Sequence, residues 1–137
     1  FFALEQMTHY GVDLFLDIHG DEEIPYVFTA GCEGNPGYTP RLATLEERFR
    51  SHLSGLTKDF QTTHGYTRDE PGQANMTLAC NAVGEKYDCL SLTLEMPFKD
   101  NYNLPDDDYG WSGQRSLRLG EAILTPIYAV LDKLRNA

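Results

Sequence analysis

The chain has 137 residues, 41% of them hydrophobic and 12% aromatic, which is enough for one domain with a real core. Its formal charge of −10 argues against nucleic acid and anionic membrane as partners, because binding phosphate needs a positive surface. No run approaches the ~18 apolar residues of a membrane span.

Phe1, Phe2, Leu4 and Met7 predict the tail of an amphipathic helix that ends near Gly11. That helix opens with no N-cap and no first turn, so the expectation is a fragment of a longer protein, in which the lack of a leader peptide carries no information. From Val12 to His19, the residues Val12, Leu14, Leu16 and Ile18 share one face and Asp13, Phe15, Asp17 and His19 the other, which predicts a buried strand. Residues 24–29 are a candidate short strand, and 31–40, with three glycines and two prolines, a loop. Thr39 as N-cap and Pro40 at the first helical position open a helix whose Leu42, Leu45, Phe49, Leu53 and Leu56 face the core. Residues 57–87 are polar and give no assignment.

A second strand is predicted where Leu90, Leu92 and Leu94 alternate with Ser91, Thr93 and Glu95. Residues 97–113 then form a long loop, a candidate rim or lid, with the acidic run Asp106-Asp107-Asp108. From about Ser112 a last helix carries Leu119, Ile123, Ile127, Leu131 and Leu134, with a kink expected at Pro126. The order strand, helix, strand, helix fits an α/β sheet. Cys32, Cys80 and Cys89 cannot all pair and match no zinc-ribbon spacing, so they are expected as reduced thiols, which favours a reducing, cytoplasmic setting.

Both strands end on residues suited to a site. In open α/β sheets ligands bind beyond the carboxyl ends of strands, where His19 and Glu95 fall. A lone histidine there is commonly just a hydrogen-bonded loop residue. A carboxylate closing an apolar strand is costly to bury unless it is paired or functional.

The run from Leu16 to Glu23 together with Leu92-Thr93-Leu94-Glu95-Met96-Pro97-Phe98 resembles the C-terminal half of a zinc carboxypeptidase of the carboxypeptidase A type. Asp17-Ile18-His19-Gly20-Asp21 and Gly72-Gln73-Ala74-Asn75-Met76 look like the cytosolic carboxypeptidase branch and its bacterial relatives. The resemblance implies a mixed sheet with flanking helices, and residues 1–137 as the C-terminal part of a single catalytic domain. It implies His19 as a zinc ligand, Glu95 as the catalytic glutamate and Thr93 on the floor of the specificity pocket. Tyr66 would be the mobile tyrosine that covers substrate, and Asp17 a possible orienter of His19.

The expected chemistry is zinc-assisted hydrolysis of a C-terminal peptide bond in the parent protein, with a zinc-bound water as nucleophile and Glu95 as general base. The family's other zinc ligands come from an upstream His-x-x-Glu motif. Here His9 is followed at that offset by Val12, His52 by Gly55 and His64 by Thr67, so the chain alone is expected to be inactive and to need a missing N-terminal half of the same protein. The alternatives are a zinc acylase acting on N-acyl amino acids, or a non-catalytic carboxypeptidase-like binding module. Arg68, Lys86, Arg115 and Arg118 are either surface charges or contacts for an acidic substrate. A single zinc site requires the two strands to run parallel as near neighbours, with His19 and Glu95 on one face.

Overall fold

A computed structural model describes residues 2–135. In chain order the elements are α1 (Phe2–Tyr10), β1 (Leu14–Asp21), β2 (Phe28–Ala30), α2 (Pro40–Leu56), α3 (Ala79–Tyr87), β3 (Leu90–Pro97) and α4 (Gly113–Val130), closed by a 3₁₀ turn over Leu131–Lys133. The sheet has the order β1-β3-β2, with β1 parallel and β2 antiparallel to β3. The architecture is thus a mixed α/β sheet with flanking helices, as the sequence implies.

The central strand divides the molecule. Leu90, Leu92 and Leu94 are fully buried in a cluster with Leu42, Leu45, Phe49 and Leu53 of α2 and Leu119, Ile123 and Val130 of α4. The opposite face carries Ser91, Thr93 and Glu95, and α3 covers its amino end, where Ser91 Oγ donates to the Cys80 carbonyl at 2.7 Å. By parallel register Phe15, Asp17 and His19 of β1 lie beside Ser91, Thr93 and Glu95.

Four elements differ from expectation. β1 begins at Leu14 and is an edge strand, so Ile18 is exposed where a buried strand was expected. β2 starts later than residue 24 because the Asp21 carboxylate accepts from the N–H groups of Glu23 and Ile24 at 2.7 and 2.6 Å, folding the segment before Pro25 into a turn. Helix α3 lies in the unassigned segment. Its N-cap, Leu78, makes no side-chain cap bond, and it ends on Asp88 in the left-handed region at φ 47°. α4 runs through Pro126 but stops at Val130. The caps of α2 and α4 are those expected: Thr39 accepts from Leu42 N at 3.3 Å and Ser112 from Arg115 N at 3.4 Å. α1 ends near Gly11 and buries none of its residues, while Phe1 lies outside the described residues.

The loop after β3 is fastened rather than free. Arg115, expected at the surface, is buried, with its guanidinium paired to Asp59 and, at 3.1 Å, to Asp100. It also donates to the Leu104 carbonyl at 2.7 Å and lies over the Trp111 ring at 4.8 Å. Asn101, wholly buried, donates to the Asp59 carbonyl at 2.8 Å. Removing the guanidinium leaves a buried carboxylate uncompensated, so Arg115→Ala is expected to cost about 3–5 kcal/mol of stability. Urea denaturation measures it; a loss below about 1 kcal/mol would mean that water replaces the arginine.

Candidate functional site

The site forms where β1 and β3 end. His19 pairs in register with Glu95, and Asp17 with Thr93, so the four side chains share the α3 face of the sheet. His19 Nε2 meets Asp17 Oδ1 at 2.8 Å, a contact that either an orienting or a merely salt-bridged aspartate makes. Glu95 is 5% exposed. Its Oε1 lies 3.1 Å from the Tyr66 hydroxyl, while its Oε2 is buried with no partner.

Tyr66 joins three elements. Its hydroxyl also reaches Asp21 Oδ2 at 2.5 Å, and its ring meets Phe28 of β2 edge-on at 5.0 Å. The loop before it is shaped by Gln61, whose Oε1 accepts from Thr63 N and His64 N at 2.9 and 2.7 Å. A phenol has one proton for two carboxylates. Asp21 is held below the ordinary carboxylate range: burial pushes it up, but the bonds from Ile24, Tyr66 and Glu23 together outweigh that. Glu95 goes the other way. Burial raises it, and the Tyr66 bond and the nearby His19 offset this only in part. Burial, followed by the bond to Asp21, pushes the Tyr66 hydroxyl up as well.

Beside this cluster opens a cavity of about 550 Å³. Thr93 borders it from the sheet, Tyr66 and Arg68 from the long connection, and Cys80 and Asn81 from α3. Its buried charge is Arg50, which meets Glu33 at 3.0 Å, Glu46 at 3.2 Å and Thr29 Oγ1 at 3.1 Å. Glu46 is itself 2% exposed, and burial pushes it up to about 7 with Glu33 adding repulsion and Arg50 opposing both.

The chain is 60% identical to a metallo-carboxypeptidase of Pseudomonas aeruginosa, solved in complex with (2-guanidinoethylmercapto)succinic acid, over 98% of this chain and 36% of that one, with a TM-score of 0.94. It is 55% identical to a putative carboxypeptidase A of Shewanella denitrificans (96% and 35% covered, TM-score 0.94) and 43% identical to a metallo-carboxypeptidase of Burkholderia cenocepacia (95% and 34%, TM-score 0.88). The chain is homologous to the bacterial carboxypeptidases. An uncharacterized protein of Zymomonas mobilis shares 47% identity over 128 residues, 93% of this chain and 34% of its own length. No family model matches. The chain therefore spans about a third of the length of these relatives.

Zinc does not fit the donors present. Among the described residues no group of three or more His, Cys, Asp or Glu side chains is placed to hold a metal ion. This overturns the expectations of a zinc cofactor and of zinc-dependent hydrolysis, since a catalytic zinc takes three protein ligands. The physical reason lies in where the histidines are. His19 contributes a single imidazole with one nitrogen already against Asp17. His64 stacks on Tyr26 at 4.2 Å, His52 Nδ1 lies 2.7 Å from the Arg48 carbonyl on α2, and His9 packs on Tyr10 in α1.

Asp21 and the Glu33–Arg50–Glu46 group were not legible as site residues. Asp21 opens an acidic run and looks solvated, but the spacing of Glu46 and Arg50, four apart at the border of the apolar stripe of α2, was a usable signal.

Because the folded state raises the Glu95 pKa, its contribution is fully present below the unfolded value, near 4.5, and is lost as pH rises through the folded one. Wild type is thus expected to lose stability relative to Glu95→Gln between those two values, with no further divergence above. Denaturation midpoints of both proteins across pH measure this; a difference independent of pH would mean that Glu95 titrates normally.

Proposed function

We infer that this chain is a carboxypeptidase-like binding module, which holds the end of a peptide in the pocket bordered by Thr93 and Tyr66 and carries no metal of its own. The cavity carries this reading: its volume lies within the range of small-molecule and peptide-end sites, and it combines an apolar-to-polar wall with one buried guanidinium. In this reading Thr93 and Tyr66 touch the bound chain. Glu95 is the group beside it that holds or gives up a proton, supported by its burial and raised pKa.

The ligand of the Pseudomonas relative has two carboxylates and a guanidino group. A peptide ending in a basic residue offers the same kinds of group, which supports a peptide terminus as occupant here. The metallo-carboxypeptidase names of the relatives belong to polypeptides about three times as long. Hydrolysis in a polypeptide of that length would draw on donors outside the described residues, with residues 1–137 as the C-terminal part of its domain. No helix among the described residues is long and apolar enough to cross a membrane. The three free, buried cysteines support a cytoplasmic setting.

Titration of the chain with short peptides is expected to show binding without turnover, and equilibrium dialysis to show no stoichiometric zinc. Thr93→Phe, which fills the cavity from the sheet, is expected to weaken binding at least tenfold, about 1.4 kcal/mol. Hydrolysis of a peptide by the chain alone, or unchanged affinity in Thr93→Phe, would sink the reading.

A further inference from the structure

Cys32 and Cys80 bring their sulfurs to 3.6 Å across the wall of the cavity. Cys32 follows β2, and Cys80 lies in the first turn of α3. Gly84 sits four residues after Cys80 on the same face of that helix, where an added Cβ would come within 2.8 Å of Cys32 Sγ. The missing side chain is what lets Cys32 lie against α3 beside its partner. Both cysteines are buried, at 3% and 5% exposure, but Cys80 borders the cavity and Cys32 stands behind it.

The pair is also differentiated. A hydrogen bond shared with the Cys32 thiol, joined by one from the Ser91 hydroxyl at 3.4 Å, draws the Cys80 thiol down. The same bond, together with burial, drives Cys32 up. Cys89 stands apart: its Sγ lies 3.9 Å from the Val83 carbonyl, and burial pushes it up to about 11.

We propose that Cys32 and Cys80 are a reversible dithiol–disulfide pair, a modification site in the pocket wall whose oxidant is a hydroperoxide small enough to enter the cavity. The Cys80 sulfur attacks one peroxide oxygen, the O–O bond breaks, and the departing oxygen takes up a proton to leave as water when the oxidant is hydrogen peroxide. The Cys32 sulfur then attacks the Cys80 sulfenic sulfur. The S–O bond breaks, the hydroxyl leaves as a second water with the Cys32 proton, and the S–S bond forms. Each sulfur loses one electron and the peroxide gains both. Bond formation closes the sulfurs from 3.6 Å to the ~2.05 Å of a disulfide and ties the segment after β2 covalently to α3. The consequence for peptide binding rests on the pocket reading; the thiol chemistry does not.

The test exposes the whole reduced chain to hydrogen peroxide, alkylates the remaining thiols after denaturation, and maps proteolytic fragments without reduction. Expected are a single Cys32–Cys80 linkage, loss of two of the three free thiols with Cys89 alkylated, and recovery of all three after dithiothreitol. In Cys32→Ser, Cys80 should accumulate as a sulfenic acid trapped by dimedone, whereas in Cys80→Ser the Cys32 thiol should stay unreacted. Free Cys32 and Cys80 after exposure, or a linkage through Cys89, would overturn the proposal, and the wild-type map decides this even if a variant fails to fold. Because no peptide ligand is present during oxidation, the linkage found is the same whether or not the pocket binds peptides.

Discussion

The parallel pairing of β1 with β3 is the constraint on which the rest of the molecule depends. Parallel strands cannot be joined by a hairpin, so the chain between them must cross over, and α2 and α3 lie within that crossover. The two helices end on opposite faces of β3. Its leucines meet α2 and α4, while Ser91 meets α3. A slip of one residue would turn Leu90, Leu92 and Leu94 toward α3 and drive Ser91, Thr93 and Glu95 into the apolar cluster. The cost of burying Glu95 among leucines keeps the register, and the register sets His19 beside Glu95.

Charge is the second organiser, because this acidic chain buries several of its ionisable groups. Two arginines do most of the neutralising. Arg115 closes the loop after β3 onto Asp59 and Asp100, and Arg50 ties α2 to Thr29 of β2 and to Glu33 beyond it. Each sits in a multidentate set, which suits a planar guanidinium and would not suit lysine. Arg50 also gives the cavity a rigid wall. Its guanidinium is committed to Glu33, Glu46 and Thr29, so it shapes the pocket, whereas the exposed Arg68 at the rim keeps only a 3.5 Å contact to Glu33.

What could be read from the sequence follows from how local the determinants are. α2 and α4 carry strong caps and apolar residues at helical spacing, and both appear close to where they were expected. β3 was legible because its leucines alternate strictly. α3 was not, since Leu78 offers no capping side chain and the helix is only nine residues long. β2 was displaced by the Asp21 turn, a side-chain-to-backbone bond that strand propensity does not see. The edge position of β1 was missed because alternation reports the face of a strand but not whether a neighbour covers it. At the site, the convergence of His19 and Glu95 came from the strand-end rule. The Tyr66 bridge from Asp21 to Glu95 spans 45 and 29 residues of sequence and has no local signature.

The same distinction separates the pocket from the metal question. A pocket wall needs only that β3, the turn after β2, the Tyr66 loop and α3 pack together, and all four lie in this chain and are held by its own bonds. A metal centre needs three donors converging within about 2 Å of one point, a condition that no His, Cys, Asp or Glu group among the described residues meets. High likeness to carboxypeptidases and lack of a metal-binding group among the described residues are therefore compatible. Backbone superposition follows the packed elements, whereas coordination depends on a few side chains. Glu95 shows what remains: a buried carboxylate with one oxygen against a phenol and one unpartnered. Burial raises its pKa, and the Tyr66 bond and His19 offset that only in part. A peptide end that brought a donor to Oε2 would favour the anion and draw that pKa down. Occupancy of the pocket and the charge of Glu95 are thus linked, and each biases the other by the same free energy.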